Sequence, residues 1–137
     1  MKLDNCIFCK IANGEIPSAT LYEDEDFRVI LDLGPASKGH ALVLPKEHAA
    51  NIYELPDELA AKAMVVAKKV AATLQEGLKC DGLNIVQNNG EPAGQTVFHF
   101  HMHIIPRYEG DKESVRLTWD PGKLTDEMKE EIQALIK

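Results

Sequence analysis

Three of the five histidines in this chain stand at alternate positions, in the run Phe98-His99-Phe100-His101-Met102-His103-Ile104-Ile105. In a strand each residue rises about 3.3 Å and successive side chains point to opposite faces, so the three imidazoles share one face at steps of roughly 6.6 Å. The apolar residues between them then face a core. A neutral imidazole is a competent nucleophile at neutral pH, because its unperturbed pKa of about 6.5 leaves it mostly unprotonated, and a neighbouring histidine can serve as acid or relay. Just upstream, Asn88-Asn89-Gly90-Glu91-Pro92-Ala93-Gly94-Gln95-Thr96 carries two glycines, where the backbone can turn tightly and bring N–H groups to an anion. Gln95 and Thr96 add uncharged donors that hold a phosphate without a lysine's grip on the product. Loop and histidines together describe a phosphoryl or nucleotidyl transfer site. Alternating histidines can also bind zinc or fill a core, so spacing alone leaves a catalytic metal and a structural role open.

These residues must be positioned by the elements around them. The histidine run reads as a strand, as do Thr20-Leu21-Tyr22-Glu23 and Phe27-Arg28-Val29-Ile30-Leu31, which the acidic turn Asp24-Glu25-Asp26 joins as a hairpin. Gly39-His40 leads into Ala41-Leu42-Val43-Leu44, a short apolar run that Pro45 should stop, with His40 at its entry. From Asp57 to Glu76, Leu59, Ala63, Val66, Ala67, Val70 and Leu74 recur at helical steps, and Gly77 offers a left-handed stop. Leu83-Asn84-Ile85-Val86-Gln87 is a further strand, linked by the glycine loop to the histidine run in an antiparallel connection. Thr125 can cap a C-terminal helix over Asp126 to Ile136, although Met128 stands where a capping box wants Glu or Gln. Strands and helices are interspersed without regular alternation, which gives an α+β class.

A length of 137 residues, 45% of them hydrophobic, fits one domain over 1–137. A net charge of -7 argues against a surface that holds nucleic-acid backbone, while leaving a free nucleotide possible. Neither a membrane-spanning run nor a secretion signal is evident, so a cytoplasmic location is expected. Cys6 and Cys9, spaced C-x2-C, therefore read as metal-binding or redox-active before they read as a disulfide. Cys80 stands alone and is expected to be inert.

The run His99-Phe100-His101-Met102-His103-Ile104-Ile105 resembles the full signature of the histidine triad (HIT) family. Gly94-Gln95-Thr96-Val97 and Gly39-His40-Ala41-Leu42-Val43-Leu44-Pro45-Lys46 resemble two further family segments, and the likeness is to the Hint-like nucleoside phosphoramidase branch. That resemblance implies a HIT-like fold: a five-stranded, mainly antiparallel sheet with one long helix and a C-terminal helix, the sheet extended across a homodimer. It implies hydrolysis of an AMP- or GMP-like substrate to a nucleoside monophosphate.

Carried over by position, the resemblance makes His101 the nucleophile at the α-phosphorus. His103 contacts the phosphate, His40 completes the relay, and the His99 carbonyl orients the second nitrogen of His101. Asn88, Gly94, Gln95 and Thr96 match phosphate and leaving-group contacts, with Thr96 in place of the commoner serine. Asp32 matches the acceptor of the ribose hydroxyls, and Ile7, Phe8, Ile11 and Leu31 are placed to form an apolar base cleft. The resemblance also supplies partners for the cysteines: Cys6, Cys9, His48 and His99 would hold a structural zinc, with no catalytic metal. Trp119-Asp120-Pro121-Gly122 resembles a tail that approaches the partner subunit, though the tryptophan would equally suit a core or interface. Three functions follow: phosphoramidate hydrolysis, cleavage of diadenosine polyphosphates, or nucleotide binding with incidental turnover. Physiological substrate, leaving group and base preference are not given by the residues.

Overall fold

The computed structural model describes residues 2–111 and 117–136. A short helix, α1 (Ile7–Ala12), precedes the hairpin β1 (Thr20–Glu23) and β2 (Phe27–Leu31), followed by β3 (Ala41–Pro45) and the long helix α2 (Asp57–Leu78). Then come β4 (Gly82–Gln87), a 3-10 turn at Glu91–Ala93, β5 (Met102–Arg107) and α3 (Asp126–Leu135). All pairings are antiparallel, in the order β1-β2-β3-β5-β4. This is the expected α+β sheet, and it sets His40, just ahead of β3, beside the histidine run leading into β5.

The acidic turn forms because the Asp24 carboxylate accepts from the backbone N–H groups of Asp26 and Phe27, each at 2.8 Å. Alternation then sorts the apolar side chains of β2 and β3. Phe27, Val29, Ala41 and Val43 join Ala63, Val66, Ala67 and Val70 of α2 in the main core, whereas Ile30, Leu42 and Leu44 pack on the other face against Phe8, Ile11 and Ala12 of α1. β3 is buried along its whole length. Truncating the fully buried Phe27 to Ala would leave a cavity costing about 3–5 kcal/mol.

Several boundaries, and one helix, depart from the sequence reading. β5 begins at Met102, so His99 and His101 lie ahead of it. Val43 and Gln87, both paired with Met102, are the last ladder partners on either side, and Pro45 has no N–H to extend the pairing. Pro45 itself belongs to β3 rather than stopping it, paired with Phe27. α2 runs through Gly77, and Lys79 takes the left-handed cap at φ 55°. Tertiary packing carries the helix on: Leu78 closes over the turn at Gly39 (φ +96°), where a Cβ would lie 2.6 Å from Leu78 Cδ1 and 3.1 Å from Pro106 Cγ. α1 was not foreseen at all. Its N-cap is the Cys6 sulfur, which accepts from the Cys9 N–H at 3.3 Å, and Phe8, Ile11 and Ala12 mark its apolar face at helical spacing.

At the other end of the chain, Thr125 caps α3 by accepting from the Met128 N–H at 3.1 Å. α3 buries none of its residues, and Trp119 is 81% exposed, so the tryptophan fills no core in the protomer. No helix among the described residues is long and apolar enough to cross a membrane.

Candidate active site

The face of the sheet under α1 collects the chemistry. Although His99 and His101 lie outside β5, the alternation survives: Phe100, Met102 and Ile104 enter the main core, and the three imidazoles turn to the opposite face. The Phe8 ring stands edge-on to both His99 and His101, with centroids 6.1 and 5.0 Å away. Phe98, by contrast, is half exposed and joins no core.

Backbone groups fix the proton on His40, His99 and His101, and His40 fixes that on His103. The Ala36 N–H points at His40 Nδ1 at 2.9 Å, which makes that nitrogen an acceptor and leaves the proton on Nε2. His40 Nε2 lies 2.9 Å from His103 Nδ1 and 3.5 Å from Asp32 Oδ2, so His103 Nδ1 accepts and its own proton sits on Nε2. His101 Nδ1 lies 2.7 Å from the His99 carbonyl and must donate to it, so His101 Nε2 carries an unshared pair. His99 Nε2 in turn donates to the Pro45 carbonyl at 2.8 Å, which turns the lone pair on Nδ1 towards the cysteines. Burial lowers the pKa of His40, His101 and His103, the last to about 4 with His101 and His40 adding to the effect, so all three are neutral at neutral pH.

These groups open on a cavity of about 330 Å³. Ile7, Phe8, Ile11, Leu31 and Leu42 form its apolar walls, and Asp32, Thr96, His101 and His103 supply its polar ones. Asp32 is oriented by the Gly34 N–H, which donates to its Oδ1 at 2.8 Å. A larger cavity of about 590 Å³ lies between α2 and β4, walled by Met64, Val65, Leu83 and Ile85. Lys68 and Gln75 are its polar lining residues, and it gathers no histidine, cysteine or carboxylate, so size does not mark the site.

The glycine loop departs from expectation in one residue. Gln95 is almost fully buried, and its amide donates to the carbonyls of Ala50 and Val97 at 2.7 and 3.0 Å while accepting from the Gly90 N–H at 2.8 Å. Both amide hydrogens are used, so Gln95 has none left for a phosphate and instead ties the loop to the segment after β3. Asn89, which the sequence reading passed over, adds a second tie by accepting from the Ile52 N–H at 2.8 Å. Asn88 lies against Gly94, whose φ of +100° favours glycine. Neither residue lines the cavity, whereas Thr96 does.

Beside this site, Cys6, Cys9, His48 and His99 come together. The Cys6–His99, Cys9–His99 and Cys9–His48 distances from Sγ to Nδ1 are each 3.4 Å, and the four donor atoms all lie within 4.8 Å of one another. Tetrahedral zinc, with bonds of about 2.3 Å to sulfur and about 2.0 Å to nitrogen, sets ligand atoms roughly 3.5 Å apart, so the set fits that ion. Burial pushes the Cys9 thiol up, and a cation beside it is what would hold the thiolate. Asp32, His40 and His103 are equally close together, but the Ala36 N–H commits His40 to carrying its proton on the nitrogen a cation would need. That trio suits a proton relay instead. Cys80 is buried and away from both groups.

Residues 13–110 match the HIT domain. Among curated relatives, the adenosine 5'-monophosphoramidase hnt1 of Schizosaccharomyces pombe is 41% identical over 137 residues, covering 97% of this chain and 99% of its own length. A HIT family protein from Bacillus anthracis superposes with a TM-score of 0.90 at 42% identity, covering 97% of this chain and 95% of that one. A Zn-bound histidine triad family protein from Mycobacterium smegmatis has a TM-score of 0.76 at 43% identity, covering 86% and 84%.

Proposed function

Because the chain belongs to the HIT family, we propose that it hydrolyses nucleoside phosphoramidates or related AMP conjugates at the α-phosphorus through a nucleotidyl-His101 intermediate. The single observation that carries this reading is the 2.7 Å bond from His101 Nδ1 to the His99 carbonyl, which leaves Nε2 a free base facing the cavity. The apolar walls take the base, Asp32 accepts from the ribose hydroxyls, and the Thr96 hydroxyl donates to a phosphate oxygen. His101 Nε2 forms a bond to phosphorus as the phosphorus–nitrogen bond of the leaving amine breaks. His103 keeps its Nε2–H on a phosphate oxygen, held in that tautomer by His40 and Asp32, and the departing amine takes its proton from solvent water. The positive charge that develops on His101 is stabilised through Nδ1–H by the His99 carbonyl. Water then attacks phosphorus, the bond to His101 breaks, and the nucleoside monophosphate leaves.

The curated relative in fission yeast is named an adenosine 5'-monophosphoramidase, which supports the substrate class. Diadenosine polyphosphates are the poorer fit, since no lysine or arginine is among the described residues lining the cavity to hold a polyphosphate leaving group. A structural zinc on Cys6, Cys9, His48 and His99 is supported by their fit and by the Zn-bound relative. Such an ion would supply a rigid tie between α1 and the histidine segment and takes no part in bond making.

A homodimer is part of the same reading. β4 is an open sheet edge flanked by the apolar groove on α2, with Ile85 and Met64 exposed, and a second copy pairing there would extend the sheet. Exposed Trp119 would then contact the partner. The three free thiols suit a cytoplasmic setting.

Purified protein incubated with adenosine phosphoramidate, or separately with diadenosine tetraphosphate, tests the reading by chromatography of released AMP. Faster release from the phosphoramidate, lost in His101→Ala, is the expected result. Preference for the dinucleotide, or turnover indifferent to that substitution, would overturn it.

A further inference from the structure

We infer that Cys6, Cys9 and His48 are positioning residues for the nucleophile: through an ion held jointly with His99 they fix the His99 carbonyl on His101, and through α1 they hold Phe8 against the His101 ring. The inference rests on His101 as the nucleophile.

His99 belongs to both groups at once. Its ring offers Nδ1 to the two sulfurs at 3.4 Å, and its carbonyl receives His101 Nδ1 at 2.7 Å. The segment carrying it lies ahead of β5, so no ladder bonds set the direction of that carbonyl. What anchors the segment is the Phe100 N–H bond to the Ala49 carbonyl at 2.7 Å and the His99 ring itself, pinned between the Pro45 carbonyl and the cysteines. A side chain held at both nitrogens fixes its own backbone, whereas a ring held at one nitrogen can swing.

α1 provides the second link. Six residues are too few to make a stable helix in water, and this one buries only Cys9 and Ala12. Its cysteine side faces the ion, while Phe8 contacts His101 and, with Ile7 and Ile11, walls the cavity. Releasing the thiols therefore frees the wall and the ring that packs on the nucleophile together. The main core contains no residue of α1, which packs on the smaller cluster of Ile30, Leu42 and Leu44, so loosening α1 leaves the main core in place.

The test is a set of measurements on the full chain loaded with zinc, stripped by chelator and reloaded. A hydrogen-bonded Nδ1–H at a buried carbonyl exchanges slowly and gives a downfield proton resonance, assigned by its absence in His101→Ala. We expect stripping to remove this signal and to weaken AMP binding by about tenfold to a hundredfold, with far-UV circular dichroism nearly unchanged and both losses reversed by zinc. His48→Ala should reproduce the stripped protein, while Phe8→Ala should weaken AMP binding with zinc still bound. An unchanged resonance and AMP affinity after stripping would overturn the inference, as would general loss of helical signal, which would make the ion a support for the whole fold. If zinc-loaded protein forms no nucleotidyl-His101 in a rapid quench with phosphoramidate, the functional reading fails, and the resonance and affinity still judge the coupling separately.

Discussion

Two histidine clusters lie side by side under α1 and share the step from His99 to His101, yet their surroundings give them opposite chemistry. In one, thiols and imidazole nitrogens converge with their lone pairs on a common centre, which suits a cation. In the other, the Ala36 N–H, the His99 carbonyl and the His40 Nε2–H assign the protons, so that His40, His103 and His101 stand in order from Asp32 to a free base. Histidine serves in both. What separates the proposed ligand His99 from the proposed nucleophile His101 is which ring nitrogen the backbone has already claimed.

The sharpest way to break this pairing is His101→Ala, which should lower AMP release from a phosphoramidate by at least about 10⁴-fold while metal analysis still finds zinc. His99→Ala removes a ring from the first cluster and keeps the carbonyl that serves the second. We expect the zinc content of the purified protein to collapse and kcat to fall by about tenfold to a hundredfold, as for loss of a supporting contact. Asp32→Asn touches only the second cluster. Loss of a charged acceptor for the ribose hydroxyls should cost about 1.5–3 kcal/mol of binding, read in KM or by calorimetry with AMP, and zinc should stay.

Acid gives the gentlest separation. Burial holds His103 at about 4 against an ordinary histidine value of 6.5, and His40 and His101 are shifted in the same direction. A depressed histidine pKa means that the unfolded chain binds protons the folded one refuses. Stability should therefore be insensitive to these groups above the unfolded value and decline as pH falls from 6.5 towards 4 by up to about 1.4 kcal/mol per pH unit for each histidine. Denaturant midpoints measured from pH 8 to pH 4.5 check the sign, and a midpoint that rises on acidification would contradict the neutral relay.

Much of the site was legible because alternation and spacing are local properties. The His99, His101 and His103 series predicted one chemical face, and that face exists even though the strand expected to create it starts only at Met102. The cysteine pair and His48 were assigned through family likeness, since no periodicity links positions so far apart. Gln95 was misread as a phosphate donor because its type suits the task. Its burial, and the Ala50 and Val97 carbonyls that consume its hydrogens, arise only when distant segments meet. α1 escaped notice because its cap is a cysteine rather than one of the usual oxygen-bearing capping residues.

The sequence by itself determined the class of fold, the sheet's two-sided alternation and the residue types available for chemistry, because these follow from side-chain period and composition. Only the tertiary structure decided where each proton sits, and with it which histidine is free for the proposed role of ligand, relay or nucleophile. Those roles depend on the Ala36 N–H and the carbonyls of Pro45 and His99, groups that every residue carries and that gain meaning only from where the fold points them.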